Sequence, residues 1–293
     1  MTHVPVLLQH VIEGLNLPKG ATVVDATVGG AGYTKALCDA VGPTGVVVGL
    51  DQDEGALARA KETLADVPCT LHLVHANFRD VDEALATLGI SEVDGIAFDL
   101  GLSSTQLEES GRGFSFMRDE PLLMTFREKQ DAEHFTARDI VNSWKEDEIA
   151  NVLTGYAEER NAKKIAKAIV EARRKAPIET TTQLVEVITT ALGYKGGPIH
   201  PATRTFQALR IAVNDELGAL DEGLAKGYEV LKKGGRMAVV SFHSLEDRKV
   251  KEFFKEKEKE GSTRITKKPI PPGFDEVRRN PRSRSAKLRI LEK

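Results

Sequence analysis

The sequence predicts an α/β protein in which a doubly wound, mostly parallel sheet carries an inserted helical domain. Short apolar runs alternate with amphipathic stretches through the first third of the 293 residues. Helical patterns then dominate from about 113 to 214, and the strand-helix alternation returns near the C-terminus. Strands separated by helices pair in parallel through right-handed crossovers. We therefore expect 1–112 and 208–293 to form one discontinuous domain, with 113–207 as a helical insertion that recognises the substrate.

The N-terminal half of the sheet is predicted from apolar runs separated by stretches of helical periodicity. Runs suited to buried strands occupy 23–25, 45–50, 71–75 and 93–100. Helices are predicted between them at 33–41, 55–64 and 81–88. The helix at 81–88 shows the pattern of an amphipathic helix, because its apolar residues recur at the spacing of one helix face.

The rest of the chain supplies the insertion and the end of the sheet. Amphipathic patterns predict helices at 163–174 and 182–192 inside the insertion. A helix at 217–231, a turn at Gly234-Gly235 and a strand at 236–242 follow. Prolines make 267–273 a loop, and a short final strand is predicted at 287–291.

Composition excludes several classes of protein. Hydrophobic residues make up 41% and charged residues 29% of the chain, as in ordinary globular proteins. The formal charge of −3 argues against a nucleic-acid binder that relies on overall charge. Only Cys38 and Cys69 are present, which favours a reducing compartment over a disulfide framework. No signal peptide or membrane-spanning run is recognisable, so we expect a cytoplasmic protein with no membrane partner.

A glycine-rich turn predicts a nucleoside-containing cofactor. The strand at 23–25 leads into Gly29-Gly30-Ala31-Gly32, and the next strand ends at Asp51. Glycines allow a ligand to approach the backbone closely. An acid after the second strand is suited to bind the hydroxyls of a ribose.

Proteins that bind dinucleotides and proteins that bind S-adenosylmethionine share this pattern of a strand, a glycine-rich turn and a later acid. The dinucleotide fingerprint G-x-G-x-x-G is absent, and an acid, Asp25, precedes the turn. Phe78 follows the third strand, where methyltransferases commonly hold the adenine, and the short last strand after a long loop suits their reversed final strand. These features favour S-adenosylmethionine.

Asp99 and His243 are the candidate catalytic residues. Asp99 ends the fourth strand, and ligands of doubly wound sheets lie beyond the carboxyl ends of the strands. Its oxygen can accept an N–H bond of a conjugated amine and so favour a more nucleophilic nitrogen, although a turn-forming role is the alternative. His243 follows a later strand and can orient a base or accept a proton, or it can be a structural histidine. His3, His10, His72 and His75 form no ligand cluster with suitable partners, so we expect no metal.

Long motifs along almost the whole chain resemble those of the bacterial RsmH (MraW) methyltransferases. The matching runs are HVPVLL at 3–8, DLGLSS at 99–104 with Gln106-Leu107, RGFSFMRD at 112–119, HPATRTFQALR at 200–210, VNDEL at 213–217, SFHSLEDR at 241–248 and NPRSRSAKLR at 280–289.

The resemblance implies a class I S-adenosylmethionine-dependent methyltransferase that acts on N4 of a cytosine in the decoding region of 16S ribosomal RNA. It implies a partner, the RNA within the small ribosomal subunit, and leaves a homodimer possible. The cofactor-binding positions that it implies are Ala31, Gly32, Tyr33, Asp51, Phe78, Asp99 and Gln106. It also favours phosphate contact for the basic run at 278–284.

The chain departs from the family pattern at two places. Ala31-Gly32-Tyr33 replaces Gly-Gly-His, and Leu123, Thr125 and Arg127 replace Asp, Arg and Asp in a later motif. Two other functions therefore stay open: a methyltransferase acting on another amine, and a cofactor-binding ribosome-assembly protein with weak catalysis.

Overall fold

The structure is a computed structural model that describes residues 5–102, 106–107, 110–127, 134–197 and 200–293. The chain forms two compact units, one of Met1–Gly101 with Leu217–Lys293 and one of Leu102–Glu216. The insertion expected at 113–207 lies within the second unit. The motif residues at 3–4 and 103–104 lie outside the described residues.

The first unit is built on one sheet. Its strands are β1 Thr22–Asp25, β2 Val46–Asp51, β3 Thr70–His75, β4 Val93–Asp99, β5 Leu231–Ser241, β6 Thr263–Arg264 and β7 Lys287–Glu292. Their order is β3-β2-β1-β4-β5-β7-β6. Pairing is parallel from β3 to β5, and β7 runs antiparallel to β5 and β6. The predicted parallel sheet with a reversed last strand is confirmed.

Helices occupy both units. They are α1 Leu8–Leu15, α2 Gly32–Val41, α3 Glu54–Thr63, α4 Val81–Thr87, α5 Ala137–Ser143, α6 Glu146–Ala157, α7 Ala162–Arg173, α8 Thr181–Leu192, α9 Ala202–Asn214, α10 Glu216–Glu229, α11 Ser244–Lys259 and α12 Phe274–Arg279.

Apolar residues of the sheet alternate between two cores, since successive side chains on a strand point to opposite faces. Val24, Val48 and Phe98 belong to one core, which also receives residues of α4, α10 and α11. Val23 and Val47 belong to the other, together with residues of α1 and α2. Helices therefore cover both faces, which confirms the doubly wound arrangement.

The second unit has its own helical core, to which α5 to α9 contribute. The predicted helices at 163–174 and 182–192 are confirmed to within a residue at each end. Two helix starts are fixed by capping boxes, Thr136 with Asp139 and Thr180 with Gln183. Such a box satisfies amide groups that the first turn leaves unpaired.

The boundary between α10 and β5 differs from the sequence prediction. The helix expected to reach 231 ends at Glu229, and the strand expected from 236 begins at Leu231. Leu231 pairs with Val93, and the register then shifts before Arg236 pairs with Gly95. The two glycines expected to form a turn lie in this irregular part of the strand. Gly235 accepts the Lys293 amide there, so long-range pairing overrides the local turn preference.

Within the described residues, none of the helices has the length and apolar character that a membrane span requires.

Candidate active site at the carboxyl ends of the strands

The candidate site lies where the carboxyl ends of β1, β2 and β4 meet in the first unit. Asp25 ends β1 and pairs with Gly49 of β2 and with Ala97 of β4. Asp51 ends β2 and Asp99 ends β4, so parallel pairing brings three carboxylates to one edge. The strand order reverses between β1 and β4, which is the position where open α/β sheets bind ligands.

The glycine turn joins β1 to the N-terminus of α2. Gly29 and Ala31 both have positive φ, 48° and 63° respectively. The Ala31 amide donates to the Val28 carbonyl at 2.7 Å, which closes the turn. A Cβ added at Gly30 would meet nothing within 4 Å, whereas one at Gly32 would lie 2.3 Å from Cγ of Pro5. Open space beside Gly30 and the free amides of a helix start suit a ligand that approaches the backbone.

Asp51 supports this turn through its side chain. Its Oδ2 accepts a hydrogen bond from the Gly29 amide at 2.8 Å, and its Oδ1 accepts one from the Asp53 amide at 2.9 Å. Burial raises the pKa of Asp51, and the two amides oppose that rise. Each carboxylate oxygen has a second lone pair, so Asp51 can hold the turn and still accept a ligand hydroxyl.

Asp25 is almost completely buried behind the turn. Its carboxylate accepts hydrogen bonds from the Thr34 hydroxyl at 2.6 Å and the Thr27 amide at 3.2 Å. Burial raises the pKa of Asp25 to about 6. The acid noticed before the glycine turn therefore joins β1 to α2 by hydrogen bonds within the protein.

Phe78 begins a 3₁₀ turn, Phe78–Asp80, directly after β3. Its ring meets Phe98 edge-on, with 5.7 Å between the ring centroids. The preceding Asn77 donates from its side chain to Gln52 Oε1 at 3.0 Å, and its own Oδ1 caps the turn by accepting the Arg79 amide. These bonds fix the half-buried Phe78 on the β2 and β3 side of the sheet edge.

Asp99 has an oxygen that is free to receive a ligand. The Asp99 amide donates to the Thr27 hydroxyl at 2.8 Å, which fixes the backbone. Its Oδ1 is shielded from solvent and accepts no hydrogen bond from any described residue. Burial, together with the negative charges of Asp25 and Glu246, raises the pKa of Asp99 to about 7. A shielded carboxylate oxygen without a donor is costly unless a ligand supplies one.

His243 has a clear structural task. It caps the N-terminus of α11, where Nδ1 accepts the Glu246 amide at 3.3 Å, and Glu246 Oε2 accepts the His243 amide at 3.2 Å. The other ring nitrogen, Nε2, lies 3.1 Å from Glu246 Oε1 but makes no hydrogen bond with any described residue. The acceptor role of Nδ1 therefore leaves the proton on Nε2, beside a carboxylate.

Two other predicted cofactor residues differ in their surroundings. Tyr33 is buried in the core between the sheet and α1 and α2, and its hydroxyl donates to the Val6 carbonyl. Only the backbone of Tyr33 therefore belongs to the helix start. Gln106 belongs to the second unit, where its carbonyl accepts the Ser110 hydroxyl at 2.6 Å.

Thr27 and Gln52 are residues that the sequence patterns did not single out. Thr27 bonds to the backbone of Asp99, and Gln52 bonds to the side chain of Asn77. Their only sequence signal is position, since Thr27 stands between Asp25 and the glycines and Gln52 follows Asp51. Polar side chains are common at such positions for many reasons, so position alone could not identify them.

Comparison with known proteins finds relatives over the whole chain. A model of the MraW methylase family matches residues 1–293. The chain is 44% identical over 310 residues to "Ribosomal RNA small subunit methyltransferase H" of Clostridioides difficile, covering 99% of this chain and 98% of that protein. It is 49% identical over 296 residues to the protein of the same name from Deinococcus radiodurans, covering 100% and 90% respectively.

A solved structure shows the same fold at low sequence identity. It is the crystal structure of a Clostridium thermocellum protein provisionally named an rRNA-methylase. The TM-score is 0.50 at 16% identity, and the match covers 99% of each chain.

Proposed function

The chain belongs to the MraW methylase family, and we propose that it transfers a methyl group from S-adenosylmethionine to N4 of a cytosine in 16S ribosomal RNA. Relatives that match nearly its full length are named for methylation of small-subunit ribosomal RNA. An enzyme that acts on ribosomal subunits works in the cytoplasm, which is the location that we propose.

The candidate site suits the cofactor at three places. Open space beside Gly30 and the first amides of α2 provide a surface for a polar ligand. Asp51 has remaining lone pairs for ribose hydroxyls, and the half-buried Phe78, in the turn after β3, offers an aromatic ring for the adenine. When bound, S-adenosylmethionine supplies a methyl group activated by a positively charged sulfur.

Asp99 carries the proposal for catalysis, because its Oδ1 is shielded and lacks a donor among the described residues. An exocyclic N–H of the cytosine can supply that donor. The bond would orient the amine and favour a more tetrahedral nitrogen, so that its lone pair is directed toward the methyl group that the cofactor would supply. The proton lost from nitrogen leaves along the bond to Asp99, whose pKa of about 7 suits it to take up and release a proton.

The second unit is the proposed region for substrate recognition. A cytosine in folded RNA must leave its stack to be methylated, and proteins commonly hold such bases against aromatic rings. Phe114 is only 6% exposed and stacks on Phe126 with 5.3 Å between ring centroids, so its ring is closed to RNA. Phe116 stacks on His200 at 4.9 Å and meets Phe206 edge-on at 5.3 Å, but it is only half-buried, so part of its ring is exposed. We therefore favour Phe116 over Phe114 for contact with RNA.

A transfer assay tests the function. Small ribosomal subunits that lack the mark are incubated with the enzyme and cofactor tritiated in the methyl group, and their RNA is digested to nucleosides. Label in N4-methylcytidine is expected. Label in another nucleoside or in protein would indicate another amine as substrate, and tight cofactor binding without label would indicate an assembly protein.

The variant Asp99→Ala tests the residue that carries the mechanism. We expect transfer to be lost, while an unchanged circular dichroism spectrum shows that the fold is kept. Wild-type turnover in this variant would remove Asp99 from the mechanism without affecting the substrate assignment.

A further inference from the structure

The C-terminal part of the chain is strongly basic, although the protein is acidic overall. Residues 261–293 contain ten Lys or Arg and three Asp or Glu, a formal charge of +7. The whole chain carries −3, so the preceding 260 residues carry −10. A positive segment on a negative protein concentrates attraction for a polyanion in one place.

Helix α12 presents an exposed aromatic ring within this segment. Phe274 is 82% exposed, more than any other aromatic residue that the structure describes. Arg278 lies one helical turn further on, so both side chains share a face. Glu276 points to the opposite side, where its Oε1 accepts the Leu7 amide at 2.7 Å. This bond holds α12 against the N-terminal segment and leaves the face of Phe274 and Arg278 outward.

The 3₁₀ turn that follows, Pro281–Ser285, continues the exposed basic surface. Ser283 is buried and its hydroxyl donates to the Asn280 carbonyl at 2.7 Å. Because Ser283 faces inward, the flanking Arg282 and Arg284 are directed to solvent, and both are exposed. Arg278 and Arg279 are exposed as well, so four guanidinium groups accompany Phe274 on one structured segment.

We propose that this segment binds a single-stranded part of the RNA, with phosphates on the arginines and one unpaired base stacked on Phe274. The proposal rests on the proposed function, since it assumes an RNA substrate. Aromatic rings stack on bases of any sequence, and nearby cations bind the phosphates between them. The adjacent residues Gly273 and Asp275 are exposed and offer no apolar surface, which disfavours a protein partner that would bury a hydrophobic patch.

Binding of a fluorescein-labelled single-stranded RNA of about ten nucleotides, followed by fluorescence anisotropy without cofactor, tests the stacking. Phe274→Ala should weaken binding about 5- to 150-fold, the range for one stacked base. Phe274→Trp should bind as well as the wild type, whereas Phe274→Leu should resemble Phe274→Ala. Ile265→Ala is the matched control, because Ile265 is an exposed apolar residue (41%) of the same basic segment but lies outside α12.

The salt dependence separates the two kinds of contact. Arg284→Gln should lower the slope of log affinity against log salt by about 0.7, the value for one phosphate contact to a single strand. Phe274→Ala should leave that slope unchanged. In the transfer assay, Phe274→Ala should raise KM for the subunit and leave kcat at saturation near the wild-type value.

Two results would overturn the proposal. Phe274→Leu binding like the wild type would mean that an apolar side chain is enough for RNA binding and that the ring does not stack on a base. Equal binding by Phe274→Ala and wild type would mean that no base stacks there. Because the binding assay involves no methyl transfer, a negative result in it is distinct from failure of the proposed catalytic function.

Discussion

The carboxylate of Asp51 holds the glycine turn in place, since its Oδ2 accepts the amide of Gly29 at 2.8 Å. Asp51 ends β2 and Gly29 lies in the turn after β1, so this one bond joins the expected ribose-binding acid to the backbone expected to bind the cofactor. A change at Asp51 should therefore affect both parts of the proposed cofactor site.

Asp51→Ala should weaken cofactor binding by about 1–3 kcal/mol, because ribose hydroxyls lose an acceptor and the Gly29 amide loses its partner. Isothermal titration calorimetry measures the dissociation constant. Asp53→Ala is the control, because Asp53 caps α3 through the Ala56 amide and keeps its own amide bond to Asp51. An unchanged dissociation constant in Asp51→Ala would show that this acid does not bind the ribose.

Asp99→Asn should stabilise the cofactor-free protein at pH 8. The folded pKa of Asp99 is raised from 3.8 to about 7, so the folded state holds the proton more tightly than the unfolded state. The stability that this provides is fully present below pH 4 and is lost as the pH rises through 7. Asparagine carries no charge, so at high pH the free energy of unfolding of the variant should exceed that of the wild type by up to about 4 kcal/mol. This bound follows from ~1.4 kcal/mol for each unit by which the pKa is raised.

Urea unfolding of both proteins between pH 4.5 and 8.5 measures this difference. The gain should shrink steadily as the pH falls toward the lower end. Asp25 titrates in the same direction and repels the charge of Asp99, so the difference between the two proteins reports Asp99 together with its coupling to Asp25. A gain that does not depend on pH would mean that Asp99 is not the titrating group.

Gly32→Ala should lower the stability of the protein, whereas Gly30→Ala should weaken cofactor binding. A methyl group at Gly32 would lie 2.3 Å from Cγ of Pro5, so the variant should lose about 1–3 kcal/mol of stability through overpacking. A methyl group at Gly30 would meet no protein atom within 4 Å, so that variant should fold normally and bind the cofactor more weakly. Thermal unfolding measures the stability of both variants, and calorimetry measures their cofactor affinity. Normal cofactor binding by Gly30→Ala would place the cofactor elsewhere.

Tyr33→Phe should lower stability by about 1–2 kcal/mol without changing cofactor affinity. The substitution removes the hydroxyl that bonds to the buried Val6 carbonyl and leaves that carbonyl without its donor. The ring lies in the core rather than in the open turn, so we expect it to make no contact with the cofactor. A rise in the dissociation constant, at equal folded fraction, would contradict that placement.

Arg210→Gln should lower the free energy of unfolding by about 2–4 kcal/mol, close to the cost of breaking a buried ion pair. Arg210 makes two bonds to Glu216, at 2.6 and 2.7 Å, and the two side chains are only 15% and 12% exposed. The control is Lys167→Gln, which breaks a pair with Glu171 whose side chains are 66% and 58% exposed. That change should lower the free energy of unfolding by about 0.5 kcal/mol or less. Equal losses for the two variants in urea unfolding would contradict the prediction that the buried pair contributes more.

Much of the first unit could be predicted from the chain alone, because strands and helices there carry strong local periodicity. The strand that ends at Asp51 and the helix that begins at Gly32 were located to within a residue. The helices Leu8–Leu15, Glu146–Ala157 and Ala202–Asn214 were not predicted. Their buried faces are completed by tertiary packing, which a local pattern does not reveal.

The sequence by itself determined the fold class, the family resemblance and the positions of the glycine turn and the strand-end acids, since each depends on residue types at short spacing. The tertiary structure decided what each polar atom does. Asp51 meets Gly29 across 22 residues, and Thr27 meets Asp99 across 72. Hydrogen-bond partners are chosen among atoms that folding brings together. Only the structure could therefore show that Asp51 holds the turn, that Tyr33 is buried, and that Oδ1 of Asp99 has no donor among the described residues.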